Sequence, residues 1–488
     1  MIKKKIKLNS LFSNRYLIIF LSYFLLLSYL IISNLNIYNL NTYVMDLGIF
    51  SNQLYNLDEY WWRGFSGHFY PISNFLSLLT NFNKFIHYFL LNFQNLILII
   101  TFILIKKIYG NTLSIFFLLS PLVWFTFKDF HYDTIVLPLH CLVFLYYYKN
   151  KIKTAYFFLT LTCFVKEVFV IHAIFFMIFF SFEKIIREKK LNSIIFEILL
   201  IFFYIFIYLT QYYISYILFF EDENFNNLAS FKNSFGETAY QNLKLISDID
   251  LNFEKVKFLL FIFGFFLFFP LFKLKKLILF LPTFLIVLIS NNPNHYDYTN
   301  HYTIGILIPF IDTCAELKKK YDLKKLLLIA GLIFNILFSY SPLSRFFWHN
   351  KIKNFHYSSY FPKIRNVTIK KALQQYIPED KIISSQNSVN YYKISNGYRL
   401  FPFPEATSKP KTVIKIVNNK ITKTEVFADY VVIDLKKIIF YGDKGCDYVY
   451  GTCKDKEILF KFQKALKNLN QNYSKIFEFD SFFIYKKL

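Results

Sequence analysis

Residues 16–32 read YLIIFLSYFLLLSYLII, and a little further on residues 44–50 read VMDLGIF. The first run is apolar and long enough to cross a bilayer, so it predicts a transmembrane helix. Asp46 then follows close to where that helix should leave the membrane. A carboxylate beside hydrocarbon is costly to keep charged, so it usually pairs, binds a cation or takes part in chemistry. The alternative is an interfacial aspartate that caps the next helix through its side-chain oxygens.

The composition of the whole chain indicates a membrane protein. Of its 488 residues, 55% are hydrophobic and 22% aromatic, and the mean hydropathy is +0.34. Further apolar runs resemble the first, which predicts an α-helical polytopic membrane protein. The formal net charge of +24 does not call for a nucleic-acid partner, because the lysines alternate with the apolar spans, as they do where charge sets topology. Aromatic residues are abundant everywhere in the chain, so aromatic stripes do not mark a ligand site.

The distribution of positive charge predicts which side of the membrane each connection occupies. Consecutive cytoplasmic connections must be separated by an even number of crossings. The even number predicts that residues 154–182 form two short helices that meet at Lys166–Glu167 near the outer surface. It also predicts that residues 111–148 form two crossings separated by Lys128–Asp133. About eleven crossings result, with the N-terminus cytoplasmic and the C-terminus outside. The cytoplasmic connections are 3–7, 106–107, 149–153, 183–190, 273–276 and 318–325.

With this topology, the polar clusters of the chain return to the outer face. The first outer segment, residues 33–84, is too long for a simple connector, and its pattern predicts helices lying along the interface. The remaining outer connections carry most of the chemically capable side chains. The candidates are Asp46, Gln53, His68, Asp129, His131, Asp133, Lys166, Glu167, His295 and His301.

Residues 342–488 differ from the membrane part, residues 1–341, because they are polar and contain no spanning run. Short β-prone pieces at 381–385, 389–394 and 430–434 alternate with helical ones, and residues 476–479 and 482–485 predict a closing hairpin around Asp480–Ser481. This pattern predicts a small α/β domain outside the cytoplasm. An oxidising exterior would also allow a disulfide between Cys446 and Cys453.

Asp129, His131 and Asp133 alternate along the chain, which suits an extended loop with two carboxylates and an imidazole on one side. Oxygen-rich sites of this kind suit Mg²⁺ or Mn²⁺, so Asp129 and Asp133 are candidate metal ligands. The alternative is a solvated loop whose acids cap a helix. His295 and His301 are six residues apart, which excludes the i, i+4 spacing of helical metal ligands, and we expect them to line the mouth of the cavity.

Several motifs together resemble the DUF2079 family of bacterial membrane proteins, within the wider superfamily of GT-C glycosyltransferase-like proteins. The resemblance covers nearly the whole chain in the expected order. Its motifs are DLGIF at 46–50 with Gln53, GHFYP at 67–71, DFH at 129–131, VKE at 165–167, IPED at 377–380, SQN at 385–387, FPFP at 401–404 and ADYVVID at 428–434.

The GT-C resemblance implies an enzyme of the cytoplasmic membrane that takes a sugar from a polyprenyl-phosphate carrier at the outer face and passes it to a cell-envelope acceptor. It implies a catalytic acid in the first outer loop, which Asp46 matches, and assisting acids in the second, which Asp129 or Asp133 would supply. The pair Lys166–Glu167 has no clear counterpart. We assign Glu167 a further catalytic role and Lys166 contact with the leaving phosphate. Substrate-binding roles fall to His68, His131, His295, His301 and Gln53.

Two other functions fit the same sequence. The first is a lipid or sugar transporter or flippase, in which these groups would line a translocation path. Transporter sites usually lie near the bilayer midplane between repeated halves, whereas the polar clusters here gather at one face. The second is a non-catalytic envelope scaffold whose outer domain binds a partner.

Overall fold

The computed structural model describes residues 15–42, 47, 50–51, 71–77, 86–189, 194–220, 252–289, 303–349, 356–378, 381–389, 399–417, 420–437, 439–441, 444–445 and 455–488. Its first part is helical, and a small sheet follows near the C-terminus. The helices of the first part are α1 (Arg15–Tyr38), α2 (Pro71–Ser77), α3 (Ile86–Tyr109), α4 (Asn111–Leu119), α5 (Pro121–Thr126), α6 (Val136–Tyr148), α7 (Ile152–Thr162), α8 (Val168–Glu188), α9 (Ile195–Phe220), α10 (Phe253–Phe265), α11 (Leu281–Ile289), α12 (Ile304–Lys320) and α13 (Lys324–Phe338).

Within the described ranges, three helices are long and apolar enough to cross a membrane, namely Tyr16–Tyr38, Ile86–Tyr109 and Val168–Glu188. Within α9, the stretch Ile195–Gln211 is apolar but shorter than these three. The other predicted crossings coincide with short or interrupted helices, so the number eleven remains a prediction. One interruption has a clear cause. Pro121 begins α5 directly after Ser120, and proline, which lacks a backbone N–H, cannot continue α4 through this point.

Polar contacts join the first two long helices inside the apolar bundle. Asn95 of α3 donates its side-chain amide to Ser33 Oγ of α1 at 2.7 Å, and Asn34 and Asn92 exchange amide hydrogen bonds one turn away. The Asn95–Ser33 hydrogen bond is buried and holds the two helices together where no water competes for these groups, whereas the Asn34–Asn92 pair lies at the exposed edge of the helix contact. Tyr29 of α1 also stacks on Trp124 of α5, with 3.7 Å between ring centroids, so α1, α3 and α5 share one core.

The C-terminal part contains a five-stranded sheet in the order β2 (Arg399–Pro402), β1 (Ile382–Ser385), β5 (Tyr430–Asp434), β9 (Phe482–Lys487) and β8 (Tyr473–Phe479). Strands β2, β1 and β5 are parallel, and β9 and β8 continue the sheet antiparallel. Asp480 and Ser481 both have positive φ, which suits a tight turn, and the predicted hairpin is confirmed. The elements are α14 (Arg345–Trp348), α15 (Ile364–Tyr376), β1 (Ile382–Ser385), β2 (Arg399–Pro402), β3 (Lys411–Val417), β4 (Lys420–Val426), β5 (Tyr430–Asp434), β6 (Phe440–Tyr441), β7 (Lys444–Gly445), α16 (Lys456–Asn472), β8 (Tyr473–Phe479) and β9 (Phe482–Lys487).

The predicted strands at 381–385 and 430–434 are present as β1 and β5. Residues 390–394 of the other predicted strand, together with Cys446 and Cys453, lie outside the described residues. Arg365 of α15 makes a bidentate pair with Asp434, at 2.9 and 2.8 Å, and also reaches Asp480 at 2.8 Å. This planar pairing fixes α15 against the ends of β5 and the β8–β9 turn.

The C-terminal part contacts the end of the first long helix directly. Lys437 Nζ donates to the carbonyl oxygens of Asn39, at 3.2 Å, and of Leu40, and to Asn41 Oδ1 at 3.0 Å. Asn39 in turn donates to the carbonyl oxygen of Tyr360. The C-terminal part therefore holds the C-terminal end of α1 in place.

Lys437 should make this attachment depend on pH. Burial lowers the pKa of Lys437 to about 7; Asp434 opposes the shift and Arg365 adds to it. Between that value and its ordinary pKa of 10.5, the folded protein binds fewer protons than the unfolded chain, so stability rises with pH across this window. We expect the unfolding midpoint of the C-terminal part to rise above about pH 7, and Lys437→Met to flatten that rise. The control is Lys436→Met, which replaces the exposed neighbouring lysine and should leave the pH dependence of the unfolding midpoint unchanged. If Lys436→Met flattened this pH dependence as much as Lys437→Met, the attribution to Lys437 would be wrong.

Candidate functional site

The segment between α5 and α6 carries Asp129, His131 and Asp133, and all three are buried. His131 is extended, but residues Tyr132–Ile135 form a 3₁₀ turn, because Thr134 bonds the carbonyl oxygen of His131 through both its N–H and its hydroxyl. The prediction of one extended loop presenting all three side chains is therefore wrong. The alternative of a solvated loop is wrong as well, since none of the three is more than 8% exposed.

Gln94 of α3 holds this segment from the side. Its Nε2 donates to the carbonyl oxygen of Asp129 at 2.7 Å, and its Oε1 accepts the N–H of His131 at 2.8 Å. The side chain is fully buried, so both ends of the amide are satisfied by backbone groups. Sequence reasoning missed Gln94. The signal that could have found it is an amide within an apolar span, where a polar group needs a partner.

Lys166 and Asp133 form a buried ion pair, with 3.4 Å between Nζ and Oδ2 and side-chain exposures of 4% and 5%. Lys166 lies in the turn between α7 and α8, so the predicted interruption of residues 154–182 is confirmed. Gln211 of α9 supports this turn by donating to the carbonyl oxygen of Cys163 at 3.0 Å. Glu167, by contrast, is half-buried at the N-cap position of α8 and makes no side-chain cap there. The two neighbouring residues thus have different surroundings.

Two contacts bring the first outer segment to the same place. The ring of Phe50 lies 5.6 Å from that of Phe130 and 4.7 Å from that of Tyr132, centroid to centroid. The backbone N–H of Ile72 donates to the carbonyl oxygen of Phe164 at 3.2 Å. Three segments that are distant in sequence therefore meet at one end of the helical bundle. Asp46, Gln53, His68, His295 and His301 lie outside the described residues.

The candidate metal ligands are engaged by protein groups. Asp129 Oδ1 accepts the N–H of Phe130 at 2.8 Å, and Asp133 pairs with Lys166. Among the residues that the structure describes, no group of three His, Cys, Asp or Glu side chains is placed to hold a metal ion. A Mg²⁺ or Mn²⁺ site at Asp129 and Asp133 stays a prediction, and it would have to displace these contacts.

A second buried charged cluster lies at the other end of the bundle, and the sequence did not indicate it. Asp312 of α12 accepts hydrogen bonds from Tyr109 at 2.9 Å and from Tyr148 at 2.6 Å, and pairs with Lys276. Lys276 also contacts Glu316 at 2.5 Å. These residues sit at the ends of helices flanked by the lysine-rich connections. The cluster ties α3, α6 and α12 to the segment before α11.

The comparisons with known proteins give one match. Residues 36–438 match the family described as "Predicted membrane protein (DUF2079)". The matched range includes Gln94, the 129–133 segment, Lys166 and the parallel strands of the C-terminal sheet. Neither the curated proteins nor the solved structures provide a match. The chain therefore belongs to the DUF2079 family of predicted membrane proteins.

Proposed function

We propose that this protein is a membrane glycosyltransferase that moves a sugar from a polyprenyl-phosphate carrier to a cell-envelope acceptor at the outer face. The observation that supports it best is the buried Lys166–Asp133 pair, which lies at the end of the bundle where the first outer segment arrives. A buried ion pair seldom adds net stability, and ionisable groups in a membrane domain usually have a function. The proposal includes the topology, with the N-terminus cytoplasmic and residues 342–488 forming an outer domain.

The proposed chemistry is an inverting transfer. The carboxylate of Asp46 removes the proton from an acceptor hydroxyl, and the hydroxyl oxygen attacks the anomeric carbon of the sugar. The bond from that carbon to the phosphate oxygen breaks, and the polyprenyl phosphate leaves with the electron pair. Leu47, which follows Asp46 in the sequence, is fully buried, and Phe50 packs against Phe130 and Tyr132 at the same end of the bundle.

Lys166 is the proposed contact for the leaving phosphate. An ammonium carries three donors, and its 3.4 Å separation from Asp133 is longer than a tight charge-assisted hydrogen bond of about 2.7–2.9 Å. A phosphate oxygen can therefore compete with Asp133 for this charge while the negative charge on the phosphate grows. Asp129, His131 and Glu167, with His68, His295, His301 and Gln53, would bind sugar hydroxyls or assist proton transfer.

Asp46→Asn tests the enzyme proposal. The substitution keeps the size of the side chain but removes its basicity, so we expect a loss of about a hundredfold or more in turnover with near-normal carrier binding. The measurement is transfer of radiolabel from a polyprenyl-phosphate hexose to acceptors in membranes from a deletion strain. Asp58→Asn makes the same chemical change in the same outer segment and should leave turnover unchanged. Wild-type turnover that survives in Asp46→Asn would favour a transporter, flippase or scaffold instead.

A further inference from the structure

Two buried histidines lie on the two helices that follow Asp133 and Lys166 in the chain. His140 belongs to α6 and His172 to α8, and their side chains are 0% and 2% exposed. Neither ring nitrogen of His140 has a hydrogen-bond partner among the described residues, and His172 Nδ1 has none either. A buried polar atom without a partner is costly, so three such atoms on two neighbouring rings indicate a site for a ligand.

A neighbouring hydroxyl can hold the His172 ring in a tautomer suited to metal binding. Thr283 Oγ1 of α11 lies 3.4 Å from His172 Nε2. If Nε2–H donates to this hydroxyl, the lone pair is left on Nδ1, and metal-binding histidines usually hold their second nitrogen in this way. Gly305 of α12 provides the space for the ring, because a Cβ at that position would come within 2.5 Å of His172 Cε1.

The separation of the two rings distinguishes between coordination geometries. Their centroids are 6.5 Å apart. With a metal–imidazole bond of about 2.0 Å, two imidazoles on opposite sides of one ion place their centroids roughly 6 Å apart, whereas a tetrahedral angle brings them to roughly 5 Å. The observed separation is closer to the value for two nitrogens on opposite sides of one ion than to the tetrahedral value. A linear arrangement also allows the 44° angle between the ring planes, because each ring can rotate about its metal–nitrogen bond.

The side chains around the two histidines limit the charge of the ion that they could bind. Two neutral imidazoles bring no negative charge, and aromatic rings border the pair: the ring centroid of Phe176 lies 4.8 Å from that of His140, and that of Phe169 lies 5.7 Å from that of His172. A divalent ion would keep two uncompensated charges in this apolar setting, which is far more costly than one. Imidazole suits copper, and the filled d shell of Cu⁺ accepts two ligands in a line.

We propose that His140 and His172 bind one Cu⁺ ion in linear two-coordinate geometry and so link α6 to α8. Two ligands satisfy this ion, which agrees with the described residues holding no three-ligand cluster. The site stands independently of sugar transfer, because it uses none of the residues proposed for that reaction.

The test is X-ray absorption at the copper edge on the full-length protein in detergent, loaded anaerobically with Cu⁺ as its acetonitrile complex. We expect one tightly bound equivalent with two nitrogen scatterers at about 2.0 Å and the outer-shell pattern of imidazole. His140→Phe and His172→Phe should each lose this equivalent. Thr283→Val keeps both ligands but removes the supporting hydroxyl, and should weaken binding by about tenfold or more. Cys141→Ala, which removes the neighbouring buried thiol, should change nothing.

Three results would overturn the proposal: sulfur scatterers from the buried cysteines, copper binding that persists in both histidine variants, or no binding at all. If the phenylalanine variants fail to fold, the affinity of the Thr283→Val variant for Cu⁺ tests the proposal instead. An affinity equal to that of the wild type would show that the copper is held elsewhere.

Discussion

Replacing Asp133 by leucine is expected to lower the free energy of unfolding by about 3–5 kcal/mol, because it removes the carboxylate that neutralises the buried ammonium of Lys166. Lys166→Met should cost a similar amount for the converse reason. The measurement is denaturant unfolding of the purified protein in detergent micelles. Both side chains are almost wholly excluded from solvent, so screening does not reduce the effect.

The double variant Asp133→Leu/Lys166→Met separates stability from function. Apolar residues of similar volume often replace a buried ion pair without loss, so we expect the double variant to recover most of the lost stability. Transfer of sugar should remain low, since the charge proposed for the leaving phosphate is gone. If the destabilisation of the double variant equalled the sum of those of the single variants, the two residues would not be energetically coupled. The ion pair would then no longer support the proposed function.

At the opposite end of the bundle, Asp312→Leu is expected to cost about 3–5 kcal/mol as well, because Lys276 loses its fully buried partner and two tyrosine hydroxyls lose their acceptor. The same unfolding measurement checks it. Glu316→Gln is the matched control: Glu316 is the other carboxylate on Lys276 but is 35% exposed, so its loss should cost about 1 kcal/mol or less.

This second cluster is expected to be structural, and activity distinguishes it from the first. Sugar transfer per folded molecule should be unchanged in Glu316→Gln and in any Asp312 variant that folds. If an Asp312 variant folded normally but lost transfer, the chemistry would not be confined to the end of the bundle that holds Lys166.

Some features were predicted well because the residues that signal them lie nearby in the sequence. The even number of crossings between lysine-rich connections required a break at Lys166–Glu167, and the structure has the break there. The hairpin at Asp480–Ser481 followed from two β-prone runs on either side of a turn. In both places the residues that indicate the break or the turn lie close to it in the sequence.

Other features depend on partners that the sequence does not bring together. Gln94 contacts a segment 35 residues away, and Tyr109 contacts Asp312 across 203 residues. No periodicity predicts such pairs, although a polar residue inside an apolar helix signals that a partner exists. The 3₁₀ turn at Tyr132–Ile135 was missed for a different reason: a single threonine bonding back to His131 outweighed the alternation of polar residues.

The proposed function depends on lipid phosphate binding beside Lys166, and one equilibrium measurement tests this most directly. The dissociation constant of a polyprenyl phosphate is measured for the protein in nanodiscs, for the wild type and for the double variant Asp133→Leu/Lys166→Met, with Glu316→Gln as control. We expect the double variant to bind the polyprenyl phosphate about tenfold or more weakly, because a hydrogen bond to a charged group contributes about 1.5–3 kcal/mol. The control should bind as the wild type does. Equal dissociation constants for the wild type and the folded double variant would contradict the account.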